Sequence, residues 1–524
     1  MSDKNTTELR LTQNHPVAEL LSPALLFLLA LSVRLLVVAR WHFDGLYGQD
    51  SFVYFQQAVA IAENLPRGQL PPAGFFWPDG YPLLVALFFR LLGQSAPVAQ
   101  LVGLLCGAAL APLAYALAGA LFPQTGRRAG VVAGLIFATA GQVILSSVVI
   151  MADIPALFWA MLAAWLLTHT WHRPPAGRRS VWLLGVGIAL ALAIISRWIY
   201  ALLLPAFAVY LLYQMRQHRD GWWMLLLPAV GGAVIFLPQL WLSLHHPEGL
   251  LHDWLLGWRP GNAFQRQFEN VDGYFFYRLP VGLFYAQPAG HPAYLFPLLG
   301  LTALLGIYRL LARRAWLPVI LLLGWSGPVY LFLAGIPYEN FRFGLTLYPP
   351  LALLAGYGVS ELWERARWRR FIQAATLLSL AGMLAWAFPV LDEFLTAQNN
   401  SKAIVHRVDE IVPPDATLLA FGLTLTLQHY TSRHTLELYV LDPVALDALT
   451  RREPNLYLLV DPINIERQWL GRPPERNYRW LREHATLTPI GTFSPYQLYR
   501  VQRSDVIQQE RGAFDAHRPD PPRF

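Results

Sequence analysis

The chain has 524 residues, 55% of them apolar, 13% aromatic and only 14% charged. Soluble domains carry about 25% charged residues, so this composition excludes an ordinary soluble protein and points to an integral membrane protein. The formal net charge of +7 would suit nucleic acid, but the arginines fall in short connections between apolar segments, the pattern of the positive-inside rule, and no nucleic-acid partner is expected.

Lys4 and Lys402 are the only lysines, so the positive charge is almost all guanidinium, which grips phosphate at two points. The single cysteine, Cys106, lies inside an apolar segment, which leaves no intrachain disulfide and no cysteine-built zinc site. The first apolar stretch, 20–41, is too long for the core of a signal peptide and lacks a small-residue cleavage site, so it reads as a retained helix.

A membrane-crossing helix needs about 20 mostly apolar residues. Eleven segments qualify as candidates, near 20–40, 96–121, 129–149, 154–171, 181–196, 199–215, 222–243, 292–311, 316–335, 344–360 and 371–391. Arginines occupy every second connection: Arg127 and Arg128; Arg173, Arg178 and Arg179; Arg216 and Arg219; Arg309, Arg313 and Arg314; Arg365, Arg367, Arg369 and Arg370. Those connections are expected inside, which gives an N-in, C-out helix bundle in the cell membrane and puts the others on the extracytoplasmic face.

The first outer loop, 41–97, carries Asp44, Asp50 and Asp79 among aromatics. Within it, 51–64 places Phe52, Phe55, Val59 and Ala62 at the spacing of an amphipathic helix lying on the bilayer. The apolar run YPLLVALFFRLL is too short to span and reads as an interfacial or re-entrant helix.

After residue 391 the pattern changes. Segments 417–421, 434–439, 456–460 and 496–501 read as strands, and 403–411, 443–449 and 475–484 as helices. The fold class is therefore mainly α: a polytopic membrane bundle over 1–391, a small extracytoplasmic α/β domain over 392–501, and a disordered tail over 502–524. There is no Gly-rich nucleotide loop, no internal repeat and no HExxH motif.

The residues suited to chemistry lie on the outer side. Asp50 stands where it can cap the following helix, and a carboxylate fixed at the membrane surface also suits a general base. Asp44 and Asp79 each precede a glycine and suit turns as well as substrate contacts. Asp153 opens an otherwise apolar helix, a costly place for an acid unless it is paired or faces water.

Arg34, Arg197 and Arg342 suit either anchoring at the interface or contact with an anionic head group, and Glu339 shares the 337–342 turn with Arg342. The stretch HHPEGLLHD at 245–253 fits no standard metal spacing, and solvated loop polarity is its better reading. No cofactor is expected, and a divalent metal is left open.

The order GQDSFVYFQQAVAIAE, WPDGYPLLVALFFRLLG, MADIPALFWAMLAAWLL and ENFRFGLTLYPPLALLAGYG resembles the GT-C membrane glycosyltransferases. Within these it is most similar to the bacterial branch grouped with protein O-mannosyltransferases and the lipid A aminoarabinose transferase, over about residues 20–390. The resemblance implies inverting transfer of a sugar from a polyprenyl-phosphate donor to a lipid, glycan or protein acceptor. By position it gives Asp50 the catalytic role of the first-loop acid, Asp153 that of the second acid, and Arg342 that of the late arginine.

Arg197, Arg34, Glu339, Tyr54, Asp44 and Asp79 are further candidates for binding substrate. Two places depart from the family pattern: Asp50-Ser51 stands where Asp-Glu is common, and Trp77-Pro78-Asp79-Gly80-Tyr81-Pro82 where a Pro-Pro pair is common. The residues agree with the resemblance in that no Asp-x-Asp pair is present to hold a metal and nucleotide diphosphate. A transporter or lipid flippase, or a non-catalytic scaffold for envelope glycan assembly, are the competing readings; a transporter would call for broken helices in two matching halves.

Overall fold

The computed structural model describes residues 16–69, 75, 77–171, 176–245 and 257–503. The chain forms two compact units. The first comprises Met1–Leu46, Tyr54–Phe264 and Leu279–Glu393, and the second Tyr47–Val53, Gln265–Arg278 and Phe394–Phe524.

The first unit is helical. Its elements are α1 (Pro16–Trp41), α2 (Asp50–Asn64, which begins in the second unit's segment), α3 (Gly80–Leu92), α4 (Ala96–Leu121), α5 (Gly126–Thr139), α6 (Gly141–Val148), α7 (Asp153–His169) and α8 (Ala176–Ser196). They continue with α9 (Leu204–His218), α10 (Leu226–His245), α11 (Val281–Ala286), α12 (Pro297–Ala312), α13 (Trp316–Gly335), α14 (Tyr348–Trp363) and α15 (Arg369–Ile411), the last running on into the second unit.

Among the described residues seven helices are long and apolar enough to cross a membrane: Ser22–Trp41, Ala96–Leu121, Arg178–Ser196, Trp198–His218, Trp222–Leu244, Trp316–Gly335 and Ala366–Ile411. An eighth arises if α5 and α6, bent by 56° at their junction, are taken as one span. The other three of the eleven expected segments are helical but short: α7 has 17 residues, and α12 and α14 have 16 each.

Lipid offers no hydrophobic drive between helices, so close backbone approach at small residues has to supply the packing. Reciprocal glycine contacts do this twice. A Cβ on Gly306 of α12 would stand 2.4 Å from Leu354 O of α14, and one on Gly358 of α14 would stand 1.9 Å from Thr302 O. Gly187 of α8 and Gly231 of α10 repeat the arrangement, at 1.9 Å from Pro228 O and 2.3 Å from Leu184 O. Leu25, Leu36, Val181 and Val234 lie on the exposed outer faces, where lipid is their natural neighbour.

Helix α2 forms as the sequence suggests, and Phe52 and Ala62 of its expected apolar face are buried, but the rest of the buried face differs. Tyr54, Gln57, Ala58 and Ile61 are buried, whereas Phe55 and Val59 are only half-buried. The polar Gln57 turns inward because its side-chain amide donates to the buried carboxylate of Asp79 at 2.8 Å. A tertiary hydrogen bond has overridden the apolar periodicity.

The second unit is built on a five-stranded sheet of β3 (Thr417–Ala420), β4 (His434–Glu437), β5 (Leu456–Val460), β6 (Ala485–Phe493) and β7 (Tyr496–Arg503), in the order β4-β3-β5-β7-β6. β3 runs parallel to β4 and β5, whereas β7 pairs antiparallel with β5 and β6. All five residues of β5 are buried because both faces of the sheet are covered. Leu456, Leu458 and Val460 pack with Leu446, Ile465 and Leu481, while Tyr457 and Leu459 pack with Val405, Val408 and Leu427.

The covering helices are the end of α15, α16 (Thr424–Tyr430), α17 (Pro443–Arg452), α18 (Pro462–Arg467) and α19 (Pro473–His484). A hairpin of β1 (Gln267–Asn270) and β2 (Gly273–Phe276) joins this unit through Tyr274 N–H, which donates to Gln468 O at 2.7 Å, and through an Arg472–Glu269 ion pair at 3.0 Å. The tail expected to be disordered, 502–524, lies outside the described residues from 504 onward.

Tight packing at the paired glycines gives a direct test. Gly358→Ala should lower the melting temperature of the detergent-solubilised chain by several degrees, because overpacking costs about 1–3 kcal/mol. Gly327→Ala, where a Cβ meets nothing within 4 Å, should leave it unchanged.

Candidate active site

Three helix breaks in the first unit bring charged groups together. α7 begins at Asp153, so this buried carboxylate sits at a helix N-terminus, where the helix dipole favours negative charge. α8 ends at Ser196, and Arg197 follows in extended conformation before the 3-10 turn Trp198–Leu203. The break turns the Arg197 side chain toward α7, and its Nη2 donates to Asp153 Oδ2 at 2.6 Å. Burial is the largest single influence and opposes the Arg197 charge, but the fields of Asp153 and Tyr54 together with the Asp153 hydrogen bond outweigh it and raise the guanidinium's affinity for its proton.

The third break follows α13. Asn340 caps the 3-10 turn Phe341–Leu347 by accepting from Arg342 N–H at 3.1 Å. The Arg342 guanidinium lies 5.5 Å from the centre of the Phe343 ring, and that of Arg197 lies 5.7 Å from the same ring. Both guanidinium groups are thus within cation–π range of one aromatic ring. Arg342 Nη1 also approaches Met151 Sδ at 3.3 Å, two residues before Asp153.

Buried aromatics fix this turn. Tyr285 O–H donates to Tyr338 O at 2.9 Å and accepts from Asn340 N–H at 3.2 Å. Tyr294 O–H donates to Phe341 O, and Trp325 Nε1–H donates to Thr346 O at 2.7 Å.

Tyr54 is buried in an aromatic cluster, stacked on Trp77 at 5.2 Å and edge-on to Tyr81 at 5.3 Å and Phe75 at 5.7 Å. It lies within electrostatic reach of Arg197, and Tyr81 within reach of both Tyr54 and Asp153. The Tyr81 side chain is wholly buried, and its hydroxyl has no hydrogen-bond partner among the described residues. A buried hydroxyl of this kind is a ready donor to an entering ligand.

The other expected residues are placed as follows. Asp50 opens α2, in the 47–53 segment that packs with the second unit, where Phe52 lies against the rings of His429 and Tyr430. Asp44 accepts from Leu46 N–H at 3.3 Å, a local turn contact, and the intervening Gly45 accepts from Ile150 N–H at 2.9 Å. Asp79 accepts from Gln57, and its own N–H donates to Gln239 Oε1 at 3.0 Å, so it ties α2, α3 and α10 together.

Arg34 is wholly buried and hydrogen-bonds Ser147 and two backbone carbonyls. Glu339 is half-buried, one carboxylate oxygen has no hydrogen-bond partner among the described residues, and desolvation pushes its pKa up to about 7. The structure therefore brings Asp153, Arg197 and Arg342 together near Tyr54, and gives Asp79, Asp44 and Arg34 contacts within the scaffold.

Sequence reasoning missed Tyr81, Phe343 and the tyrosines that brace the 337–347 turn. Each lies in an apolar stretch, where an inward aromatic cannot be told from one facing lipid. The HHPEGLLHD stretch lies almost wholly outside the described residues, and among those residues no group of three or more His, Cys, Asp or Glu side chains is placed to share a metal ion.

A family model described as dolichyl-phosphate-mannose-protein mannosyltransferase matches residues 78–242. No curated protein matches the chain. Among solved structures, apo ArnT from Cupriavidus metallidurans aligns with a TM-score of 0.61 at 15% identity, covering 90% of this chain and 97% of that one. ArnT from the same organism bound to undecaprenyl phosphate aligns with a TM-score of 0.59, at the same identity and coverage. The apo oligosaccharyltransferase of Archaeoglobus fulgidus aligns with a TM-score of 0.56 at 13% identity, covering 94% of this chain and 75% of that one. The chain has the fold of these structures.

Two measurements follow from the geometry. Asp153→Asn leaves Arg197 buried beside a neutral group and should cost about 3 kcal/mol of stability. Asp153→Asn with Arg197→Gln should cost less than the sum of the two single changes, as thermal unfolding of all three variants would show.

Glu339 supplies a pH dependence. Its acid form is favoured in the folded state, so the stability it contributes is full below the ordinary carboxyl range near 4.5 and is lost as pH rises through about 7. The melting temperature of the unaltered protein should fall between pH 5 and 8 relative to Glu339→Gln, which should not respond at that position.

Proposed function

We propose that the chain is an inverting glycosyltransferase that moves a sugar from a polyprenyl-phosphate carrier to an extracytoplasmic lipid, glycan or protein acceptor. The observation that carries this reading is the Asp153–Arg197 ion pair, whose guanidinium shares the Phe343 ring with that of Arg342. Guanidinium groups collected in the apolar interior of a lipid-embedded fold suit an anion that arrives attached to a lipid. The matching fold of ArnT, which has been solved with undecaprenyl phosphate bound, supports the same donor class.

The helix ends support the orientation. Arg127 and Arg128 open α5, Arg178 and Arg179 lie at the start of α8, Arg216 ends α9, and Arg309 ends α12. Asp153, Arg197 and Arg342 fall at the alternate junctions, so the arginine clusters and the site take opposite helix ends along the chain. With the arginine clusters inside, the site opens on the outer face. The reading keeps eleven crossings, with the N-terminus inside and the C-terminus outside. It also keeps the bundle over 1–391 and the outer α/β domain over 392–501.

In the proposed reaction the acceptor hydroxyl oxygen attacks the anomeric carbon as the bond from that carbon to the phosphate oxygen breaks, which inverts the centre. The hydroxyl proton passes to the Asp50 carboxylate, and the prenyl phosphate leaves as a stable anion that needs no general acid. Arg342 and Arg197 hold the phosphate, the tyrosine hydroxyls of Tyr54 and Tyr81 help to orient donor groups, and Asp153 fixes Arg197. This scheme needs one base, whereas a glycosidase needs two carboxylates at a set separation.

In proteoliposomes supplied with a radiolabelled prenyl-phosphate sugar, Asp50→Asn should reduce transfer by about 1000-fold, within the range expected for loss of a general base. Arg342→Gln should chiefly raise the donor KM. Full activity of Asp50→Asn would overturn the assignment of the base, and absence of transfer by the unaltered protein across donor sugars would overturn the enzyme reading.

A further inference from the structure

Arg34 is one of the charged groups that the proposed reaction does not use. It lies within α1, wholly buried, and among the described residues no carboxylate pairs with it. A charge held inside a membrane bundle is costly, so its contacts should show why the position keeps it.

Those contacts gather at the break between α5 and α6. An unbroken helix would bond Phe137 O to Gly141 N–H and Ala138 O to Gln142 N–H, but α5 ends at Thr139, the backbone turns at Ala140 before α6 begins at Gly141, and Gln142 N–H donates to Ala293 O at 2.9 Å instead. Arg34 Nη2 donates to the released Phe137 O at 3.4 Å, and Nη1 donates to Ala30 O on its own helix at 2.8 Å. Nε donates to Ser147 Oγ at 3.0 Å, one residue before α6 ends. Thus one planar guanidinium reaches the end of α5, the end of α6 and the body of α1.

The neighbouring helix leaves room for this contact. A Cβ on Gly107 of α4 would stand 2.1 Å from Ser147 Oγ and 2.9 Å from Arg34 Nε. One turn earlier on α4, a Cβ on Gly103 would stand 2.7 Å from Ser147 O. From Ser147 the chain runs directly to the site. Val148 O accepts from Gln100 at 2.7 Å, Ile150 N–H donates to Gly45 O, Met151 meets Arg342, and Asp153 meets Arg197.

We propose that Arg34 is a positioning residue that splints the α5–α6 break and thereby sets Met151 and Asp153 against Arg342 and Arg197. The splint is a property of the fold, whereas its effect on phosphate binding rests on the function proposed above. The experiment separates the two.

Hydrogen–deuterium exchange of the full chain in detergent would be measured for Arg34→Gln, Arg34→Lys and Ser147→Ala, together with undecaprenyl phosphate binding by thermophoresis. Arg34→Gln should speed exchange at 149–152 at least tenfold while leaving the α8 and α10 amides unchanged, and should weaken undecaprenyl phosphate binding about tenfold. Ser147→Ala, which removes one acceptor and keeps the charge, should shift both about threefold. Arg34→Lys should recover part of each.

Unchanged exchange at 149–152 in Arg34→Gln, or a uniform rise across the bundle, would overturn the splint. If Arg34→Gln does not fold, Ser147→Ala decides by the same criterion. If the unaltered protein does not bind undecaprenyl phosphate, the proposed donor site fails, and the exchange data alone decide the splint.

Discussion

Polar backbone and charge inside a bilayer must be satisfied by the protein itself, and the first unit is arranged around this constraint. Asp153 and Arg197 meet at 2.6 Å because each follows or begins a helix whose neighbours are apolar. Neither charge would be tolerable alone at that burial. Paired, they make a fixed polar point against which Arg342 and the tyrosine hydroxyls can be organised. The same requirement explains Asp79, whose carboxylate and backbone N–H are answered by Gln57 and Gln239 from two other helices.

Helix breaks are therefore the places where this bundle can hold chemistry. A continuous helix uses its own backbone groups and presents little but side-chain surface to its neighbours. Where α5 gives way to α6, where α8 gives way to the 198–203 turn, and where α13 gives way to the 337–347 turn, groups are released that can bind other parts of the chain. The reciprocal glycine contacts between α12 and α14, and between α8 and α10, bring the backbones close enough for the breaks to be braced.

Much of this was legible in the sequence because its signals are strong. Long apolar runs located the helices, and 456–460 read as a strand because LYLLV is continuously apolar, as expected of a strand covered on both faces. The count of full crossings was less legible. α7, α12 and α14 have 16 or 17 helical residues, so apolar composition located them without establishing that each spans. β6 was missed because only one of its nine residues is buried, which leaves little apolar pattern to read. The face of α2 was only half legible for a different reason: Phe52 and Ala62 are buried as expected, but periodicity does not reveal that Gln57 has a buried carboxylate waiting for it.

The site was partly legible on the same terms. Asp153 and the arginines stood out because charge is rare in this chain, and three of them meet as neighbours. Arg34 stood out equally but has another environment, since three of its contacts are backbone carbonyls and a serine rather than the groups of the site. A charge in an apolar helix thus signals that something polar must be satisfied, without saying whether it is a ligand or a broken helix. For Arg197 the partner is a carboxylate beside a cluster of aromatic hydroxyls, whereas for Arg34 it is the chain's own interrupted backbone. The distinction rests on which acceptors surround the guanidinium, and those are set by tertiary packing rather than by the residue's place in the sequence.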